Sequence, residues 1–533
     1  MTDLPVPDPA LVAALRADLG EVGYTVDAVT AALGPVASAA LHREQSLPAR
    51  RVTEDADRPG QVRPVELVVR AFTLGVPVRA AALDEALPRT GTAGLVALGL
   101  VEPVEPATST EPNELDASAE SPQPVERADE LVRARLDLRP YGDESHTWWV
   151  ASDLGELALG HALPTDHVLG IGGASATLAS WTPRRPVRRA LDLGTGCGIQ
   201  ALHLADHADT IVATDLSARA LDVARLNAAL AGQTWDLRRG DLLEPVAGER
   251  FDLVVSNPPF VITPRGAGVP TYEYRDGGAR GDDLVRRLVR GVGEHLEPGG
   301  IAHFLANWEI TADRTWRDRW QGWLEGTGLD AWVVQREVQD PAEYAELWVR
   351  DGGTSSGPDF ERLYAAWLDD LASRGVTGIG FGVVTLQRPA SARAPWMDLV
   401  EVTGPVGSPM GPTIDAGLRV RTWLAEQPDR RAALLDTAWR LADDVTEERF
   451  GRPGAEDPAI IRVRQGGGLG RTVTAGTALA AYLSVADGSL TPHQALVAIA
   501  ALLERDPDEV VAEVLAPLEA LVTDGLLTQT CRG

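Results

Sequence analysis

Two short stretches carry the residue types that can do chemistry, Asp192-Leu-Gly-Thr-Gly-Cys-Gly198 and Ser256-Asn-Pro-Pro-Phe260. The first sets a carboxylate before three glycines at alternate positions. Such glycines take up positive φ and let a backbone come close to a ligand. Their spacing is G-x-G-x-G, with Ile199 where a dinucleotide fold needs its third glycine, and this counts against NAD. An acid 23 residues after Asp192, Asp215, ends the run Thr210-Ile-Val-Ala-Thr-Asp215 and can accept hydrogen bonds from both hydroxyls of a ribose. Asp241 stands where a carboxylate can take an adenine amino group. The ligand these residues suit is a nucleoside other than NAD.

The elements that must position them follow from the apolar pattern. The run 190–193 reads as a buried parallel strand that turns through the glycines into a helix at 199–204. Residues 210–215 give a second strand, and Ser217 is the expected N-cap of a helix over 218–230. Residues 235–240 give a third strand, and Phe251-Asp-Leu-Val-Val-Ser256 a fourth that delivers Asn257-Pro-Pro-Phe260 to the same edge. Ligands of open α/β sheets bind outside the carboxyl ends of the strands, so these signals converge on one crevice.

Together, Asp192 to Gly198, Asp215, Asp241 and Asn257-Pro-Pro-Phe260 resemble the class I S-adenosylmethionine-dependent methyltransferases. The tetrapeptide is similar to that of the branch that methylates nitrogen on planar groups, nucleobase amines or the glutamine amide. The resemblance covers residues 166–389, under half the chain. It implies an α/β, Rossmann-like core with a seven-stranded sheet, S-adenosyl-L-methionine as cofactor and no metal. It implies that Asp192, Gly194, Thr195, Gly196 and Gly198 cradle the methionine end, Asp215 and Leu216 the ribose, and Asp241 and Leu242 the adenine. Asn257 then meets both cofactor and acceptor, and Asn257, Pro258, Pro259 and Phe260 are the expected catalytic residues. The Asn257 side-chain oxygen and the Pro258 carbonyl can accept the two N–H hydrogens of a poorly nucleophilic amide or aryl amine. The prolines stiffen the backbone, and Phe260 offers a flat surface to the acceptor. The rate gain expected is positioning and electrostatics.

In such enzymes the segment before the first strand closes over the methionine end, which makes Gly172, Gly173 and Thr177 further candidates. The loop 261–281, with Tyr272-Glu-Tyr-Arg-Asp-Gly-Gly278, is the natural acceptor loop. Asp276-Gly-Gly-Ala-Arg-Gly-Asp-Asp-Leu284 and Pro298-Gly-Gly300 are similar to the release-factor glutamine methyltransferases. Phe260 stands where those have Tyr, their upstream Arg-x-x-Thr-Glu pattern is absent, and Phe is common there among ribosomal-RNA N-methyltransferases. Nucleobase amine, in RNA or DNA, and protein glutamine therefore both stay open. Arg275 reads equally as a partner for an acid or phosphate and as a solvated charge. Trp316, Trp320 and Trp323, at helical spacing, read as a core face.

With 533 residues the chain exceeds one ordinary domain. The expected division is 1–150, a helical, winged-helix-like module with an acidic disordered loop at 102–130; 151–390, the methyltransferase core; 391–412, a linker; and 413–533, a second helical, winged-helix-like module. Cys197 and Cys531 are too few for a disulfide framework or a cysteine metal cluster, and the nine histidines show no metal spacing. No apolar run is long enough for a membrane span and no signal peptide is evident, so a cytoplasmic protein is expected. The net charge of −28, with every basic side chain an arginine, repels polyanions at long range. Flanking modules of this size suggest a macromolecular acceptor. A small natural product is the alternative acceptor, and a non-catalytic cofactor-binding protein that binds nucleic acid or protein is the alternative class.

Overall fold

The computed structural model describes residues 4–104, 130–143, 145–161, 163–266, 268–354, 356–454 and 457–529. Its centre is an eight-stranded sheet. We number the strands β1 (Val187–Leu193), β2 (Ala208–Asp215), β3 (Asp236–Arg239), β4 (Phe251–Ser256), β5 (Leu296–Thr311), β6 (Asp330–Gln339), β7 (Val376–Gln387) and β8 (Met397–Glu401). Their spatial order is β3-β2-β1-β4-β5-β7-β6-β8. Only β7 runs antiparallel to its neighbours, β5 and β6. The order reverses between β1 and β4, the switch point at which such sheets bind ligands.

The seven strands expected are present, and β8 is an eighth, drawn from the stretch read as a linker. It pairs parallel to β6, from Ala331↔Met397 to Gln335↔Glu401. A buried ion pair holds it there. Asp330, fully buried, accepts from the Arg393 guanidinium at 2.7 Å and from the Trp396 N–H at 2.9 Å.

The tryptophan stripe is core. Trp316, Trp320 and Trp323 lie on the helix Trp316–Leu324, which Thr315 and Asp318 start with a capping box, and they pack with buried Trp308 of β5 under one sheet face. Two helices, Pro341–Asp351 and Pro358–Ser373, connect β6 to β7.

Before the core come helices at Pro9–Val22, Val26–Leu41, Leu47–Val52 and Pro64–Val68. The strand Val78–Arg79, helices Ala80–Ala86 and Gly91–Ala97, and strands Val101–Pro103 and Leu131–Ala134 follow. The three strands form one small sheet, with Leu131–Ala134 in the middle. The acidic stretch joins its last two strands, and residues 105–129 of it lie outside the described residues. A hairpin, Leu136–Gly142 with Thr147–Asp153, then leads to the core. One apolar cluster runs from Leu15, Leu19 and Phe72 through this hairpin to Ala224 and Leu230 behind the sheet. The N-terminal elements and the sheet thus share a core.

After β8, the helix Gly411–Glu426 leads to a C-terminal group with its own core around Trp439, Leu479, Val514 and Leu521. It holds helices Thr477–Leu483, Pro492–Leu502 and Pro507–Thr523, and a three-stranded antiparallel ribbon, Val445–Phe450, Ile460–Gln465 and Thr472–Ala475, that the sequence reading did not anticipate. Among the described residues no single helix is long and apolar enough to cross a membrane.

Candidate active site

At the carboxyl ends of β1, β2 and β4 lies a cavity of about 290 Å³, near the lower end of the ~300–1,000 Å³ usual for ligand clefts. Of the residues expected there, Gly194, Thr195, Gly196, Asp215, Leu216, Asp241, Leu242, Asn257, Pro258 and Pro259 line it. Asp192, Gly198, Phe260, Gly172, Gly173 and Thr177 do not.

The loop after β1 explains part of that division. Gly194 and Gly196 have φ of +72° and +55°, and a Cβ built on either meets no atom within 4 Å. A side chain would be strained there and would occupy open space, as expected of a backbone that approaches a ligand. Gly198 has φ +92°, but its Cβ would lie 2.5 Å from the Trp235 ring. Its smallness serves packing.

Asp192 stands beneath the loop. Its Oδ2 accepts from the Thr195 hydroxyl at 2.6 Å and the Ala201 N–H at 3.0 Å, and its buried Oδ1 has no partner among the described residues. The carboxylate therefore braces the turn and the helix Ile199–Leu204. Burial raises it from its ordinary 3.8 to about 7, opposed by those two hydrogen bonds. A carboxyl whose folded value lies above its unfolded value disfavours folding once ionised. That cost is absent below the unfolded value and grows as pH rises toward about 7. Asp192→Asn should then gain stability relative to the parent between pH 4 and 7, by up to ~1.4 kcal/mol per pH unit. Denaturant midpoints at three pH values measure it, and parallel pH dependences would refute it.

Asp215 ends β2, and its two oxygens accept from the Gly196 N–H and the Ser217 N–H, both at 2.9 Å. Burial raises its pKa, those N–H groups oppose the shift, and exposed Glu273 raises it further. Ser217 caps the helix Ala218–Ala231, as expected. Asp241 pairs with Arg287 at 2.9 Å, and Leu242 beside it has φ +45°.

The tetrapeptide turns sharply after β4. The Phe260 N–H donates to the Pro258 carbonyl at 2.7 Å, and the Gly277 N–H to the Pro259 carbonyl at 3.0 Å. A carbonyl has two lone pairs, so Pro258 keeps one. Among the described residues nothing hydrogen-bonds the half-buried Asn257 side chain, which faces the cavity. Phe260 packs instead where three apolar clusters meet.

Two segments meet over the cavity. The Glu273 N–H donates to the Thr165 carbonyl at 2.9 Å, and the His167 ring meets Tyr274 edge-on at 5.9 Å. Arg275 is buried. It pairs with Asp351, donates to the Trp348 carbonyl at 3.1 Å and lies over the Tyr272 ring, so it anchors the loop that carries Tyr272 and Tyr274 to the helix Pro341–Asp351.

Sequence reasoning missed several contributors. His167 to Gly170 and Ser175 line the cavity where Gly172, Gly173 and Thr177 were expected. Buried Asp153 holds that segment through the Val168 N–H at 2.8 Å and pairs with Arg219. Asn227 donates to the Cys197 carbonyl at 2.7 Å and bonds both backbone groups of Ala151, which fixes the loop against the hairpin. Apart from their polarity, no local signal marks these residues.

Residues 170–322 match the family model described as methyltransferase small domain, and residues 21–111 match that of a domain of unknown function. The ribosomal protein uL3 glutamine methyltransferase of Bradyrhizobium diazoefficiens is 42% identical over 125 residues, 21% of this chain and 39% of that protein. The release factor glutamine methyltransferase of Xylella fastidiosa is 38% identical over 131 residues, 23% of this chain and 48% of that one. The ribosomal RNA small subunit methyltransferase C of Alcanivorax borkumensis is 32% identical over 122 residues, 23% of this chain and 33% of that one. The chain thus spans less than half the length of these relatives. The glycine loop and Asn257-Pro-Pro-Phe260 both fall inside residues 170–322, the segment that matches the methyltransferase small domain model.

Proposed function

We propose that this protein is an S-adenosylmethionine-dependent N-methyltransferase acting on a planar nitrogen of a macromolecule, a nucleobase amine or a protein glutamine amide. One observation carries the reading. The Asn257 side chain, which has no hydrogen-bond partner among the described residues, and Pro258 line the same cavity as the open backbone of Gly194 and Gly196.

The residues suit the cofactor. Gly194 and Gly196 leave room that a Cβ would fill, and Asp215 presents a carboxylate already oriented by two backbone N–H groups. When bound, S-adenosylmethionine supplies an electrophilic methyl group. The chain's own part is to hold and orient. Asn257 Oδ1 and the free lone pair of the Pro258 carbonyl accept the acceptor's N–H hydrogens and fix the nitrogen in line. Asp192 and Thr195 keep the loop in place from below. Tyr274 and His167 cover the site and exclude water.

Relatives over this segment are named for protein glutamine and for ribosomal RNA, which supports a macromolecular acceptor of one of those two kinds. Incubation with methyl-labelled cofactor and lysate of a strain lacking the enzyme tests this. Label removed by ribonuclease identifies an RNA base, label removed only by protease a glutamine, and label confined to small molecules refutes a macromolecular acceptor.

Asp215→Ala should weaken cofactor binding about thirtyfold, the worth of a charged hydrogen bond of ~2 kcal/mol, with the circular dichroism spectrum unchanged. Calorimetry measures it, and unchanged affinity removes the ribose assignment.

A further inference from the structure

The pole of the sheet opposite the cavity is basic. A groove of about 800 Å³ lies at the start of β4, β5 and β6, lined by Arg250, Arg290, Arg388 and Arg393 together with Glu294 and His295. Strand β4 separates it from Asn257, roughly 20 Å at the rise of a six-residue strand. The reacting atoms cannot reach both.

Most arginines among the described residues are matched by carboxylates, but three of these four are not. Among the described residues no carboxylate pairs with Arg250, Arg290 or Arg388, whereas Arg393 is neutralised by Asp330. Arg290 donates to the Gly322 carbonyl at 2.7 Å, and Arg388 to the Leu296 carbonyl at 2.9 Å. A guanidinium has five N–H donors, so these bonds orient each side chain and leave donors for a ligand. His295 points its Nδ1 at the Glu249 carbonyl, 3.1 Å away. Four arginines against Glu294 and Asp330 leave two positive charges uncompensated. Two glycine turns border the groove. Gly248, Gly326 and Gly328 have positive φ, and a Cβ on any of them meets no atom within 4 Å. A ligand can therefore approach the backbone on both sides.

We propose that this groove is an exosite for phosphate groups in series, those of a single-stranded RNA backbone, held by Arg250, Arg290 and Arg388. Three guanidinium forks match phosphate oxygens, and successive phosphates supply the charge that a single anion lacks. The −28 net charge opposes approach from a distance. At 0.1 M salt that repulsion is screened within ~10 Å while contacts in the groove persist.

The test uses the full chain, a fluorescein-labelled twelve-nucleotide single-stranded RNA and the double variant R250Q/R290Q, two exposed residues away from the cavity. Anisotropy titrations at several salt concentrations should show at least a tenfold loss of affinity in the variant. The salt slope should become shallower by about 1.4, two phosphate contacts at ~0.7 each. Cofactor affinity should stay unchanged, which separates this proposal from the methyl-transfer reading and shows the variant to be folded. Pyrophosphate that binds in the groove, where RNA does not, would keep the phosphate chemistry and assign a free phosphate source. RNA affinity indifferent to the double variant, or tighter groove binding by a polyglutamate peptide, would overturn the proposal.

Discussion

Replacing Asn257 by alanine should lower methyl transfer about 10²–10³-fold and leave cofactor affinity within about twofold. The magnitude is that of losing one preorganised polar group from the reacting centre. The structure makes the substitution unusually clean. Among the described residues the Asn257 side chain holds no hydrogen bond, so alanine removes no side-chain hydrogen bond from the fold. The turn itself is kept by the Phe260 N–H on the Pro258 carbonyl and the Gly277 N–H on the Pro259 carbonyl, neither of which uses the side chain. Pro258 thus stays in place and the variant retains one of the two proposed acceptors, which is why some residual transfer is expected. Single-turnover kinetics with labelled cofactor, beside calorimetry, separates the two effects. Full transfer with intact binding would remove Asn257 from the reaction and favour a protein that binds cofactor without turnover.

The central sheet was legible because its strands are buried on both faces. Phe251-Asp-Leu-Val-Val-Ser256 is a nearly continuous apolar run and folds as β4 with those bounds. The glycine spacing likewise pointed to one crevice, and two of the three glycines, Gly194 and Gly196, present open backbone to it. Roles within the loop were not legible. Asp192 and Asp215 look alike in sequence, each an acid at a strand's carboxyl end, yet one is sealed under the turn and the other lines the cavity. Only the packing of the helix Ile199–Leu204 over Asp192 distinguishes them. Strand β8 was hidden for a different reason. Met397-Asp-Leu-Val-Glu401 is short, half polar and set among prolines, and its pairing is decided by Arg393 and Trp396 reaching the distant carboxylate of Asp330. Arg275 shows the same limit. A loop arginine that follows Tyr272-Glu-Tyr274 carries no local sign that Asp351, 76 residues on, will pair with it.

Arg421 should be among the most costly side chains to remove from this protein, at about 3–5 kcal/mol for Arg421→Ala. It lies on the helix Gly411–Glu426 with its side chain 4% exposed. Its Nε and one terminal nitrogen reach Asp398 of β8 at 2.8 and 2.6 Å, and the other terminal nitrogen donates to the Thr523 carbonyl at 2.6 Å. It also meets Asp524 at 3.3 Å, and its guanidinium lies 3.8 Å over the ring of buried Trp332 in β6. One side chain thus ties the edge of the sheet to the end of the helix Pro507–Thr523. Alanine would leave the partly buried Asp398 without this partner, while Asp524 keeps Arg471 at 2.9 Å. That remaining pair is why the loss should not exceed the range given. Lysine should restore less than half of it, because an ammonium cannot bridge two acids in a plane or stack on the indole. Urea denaturation measures both variants. The C-terminal group should melt before the sheet in Arg421→Ala, which would turn a single transition into two. Stability within 1 kcal/mol of the parent, with one transition, would mean that the apolar contacts alone hold the C-terminal group to the core.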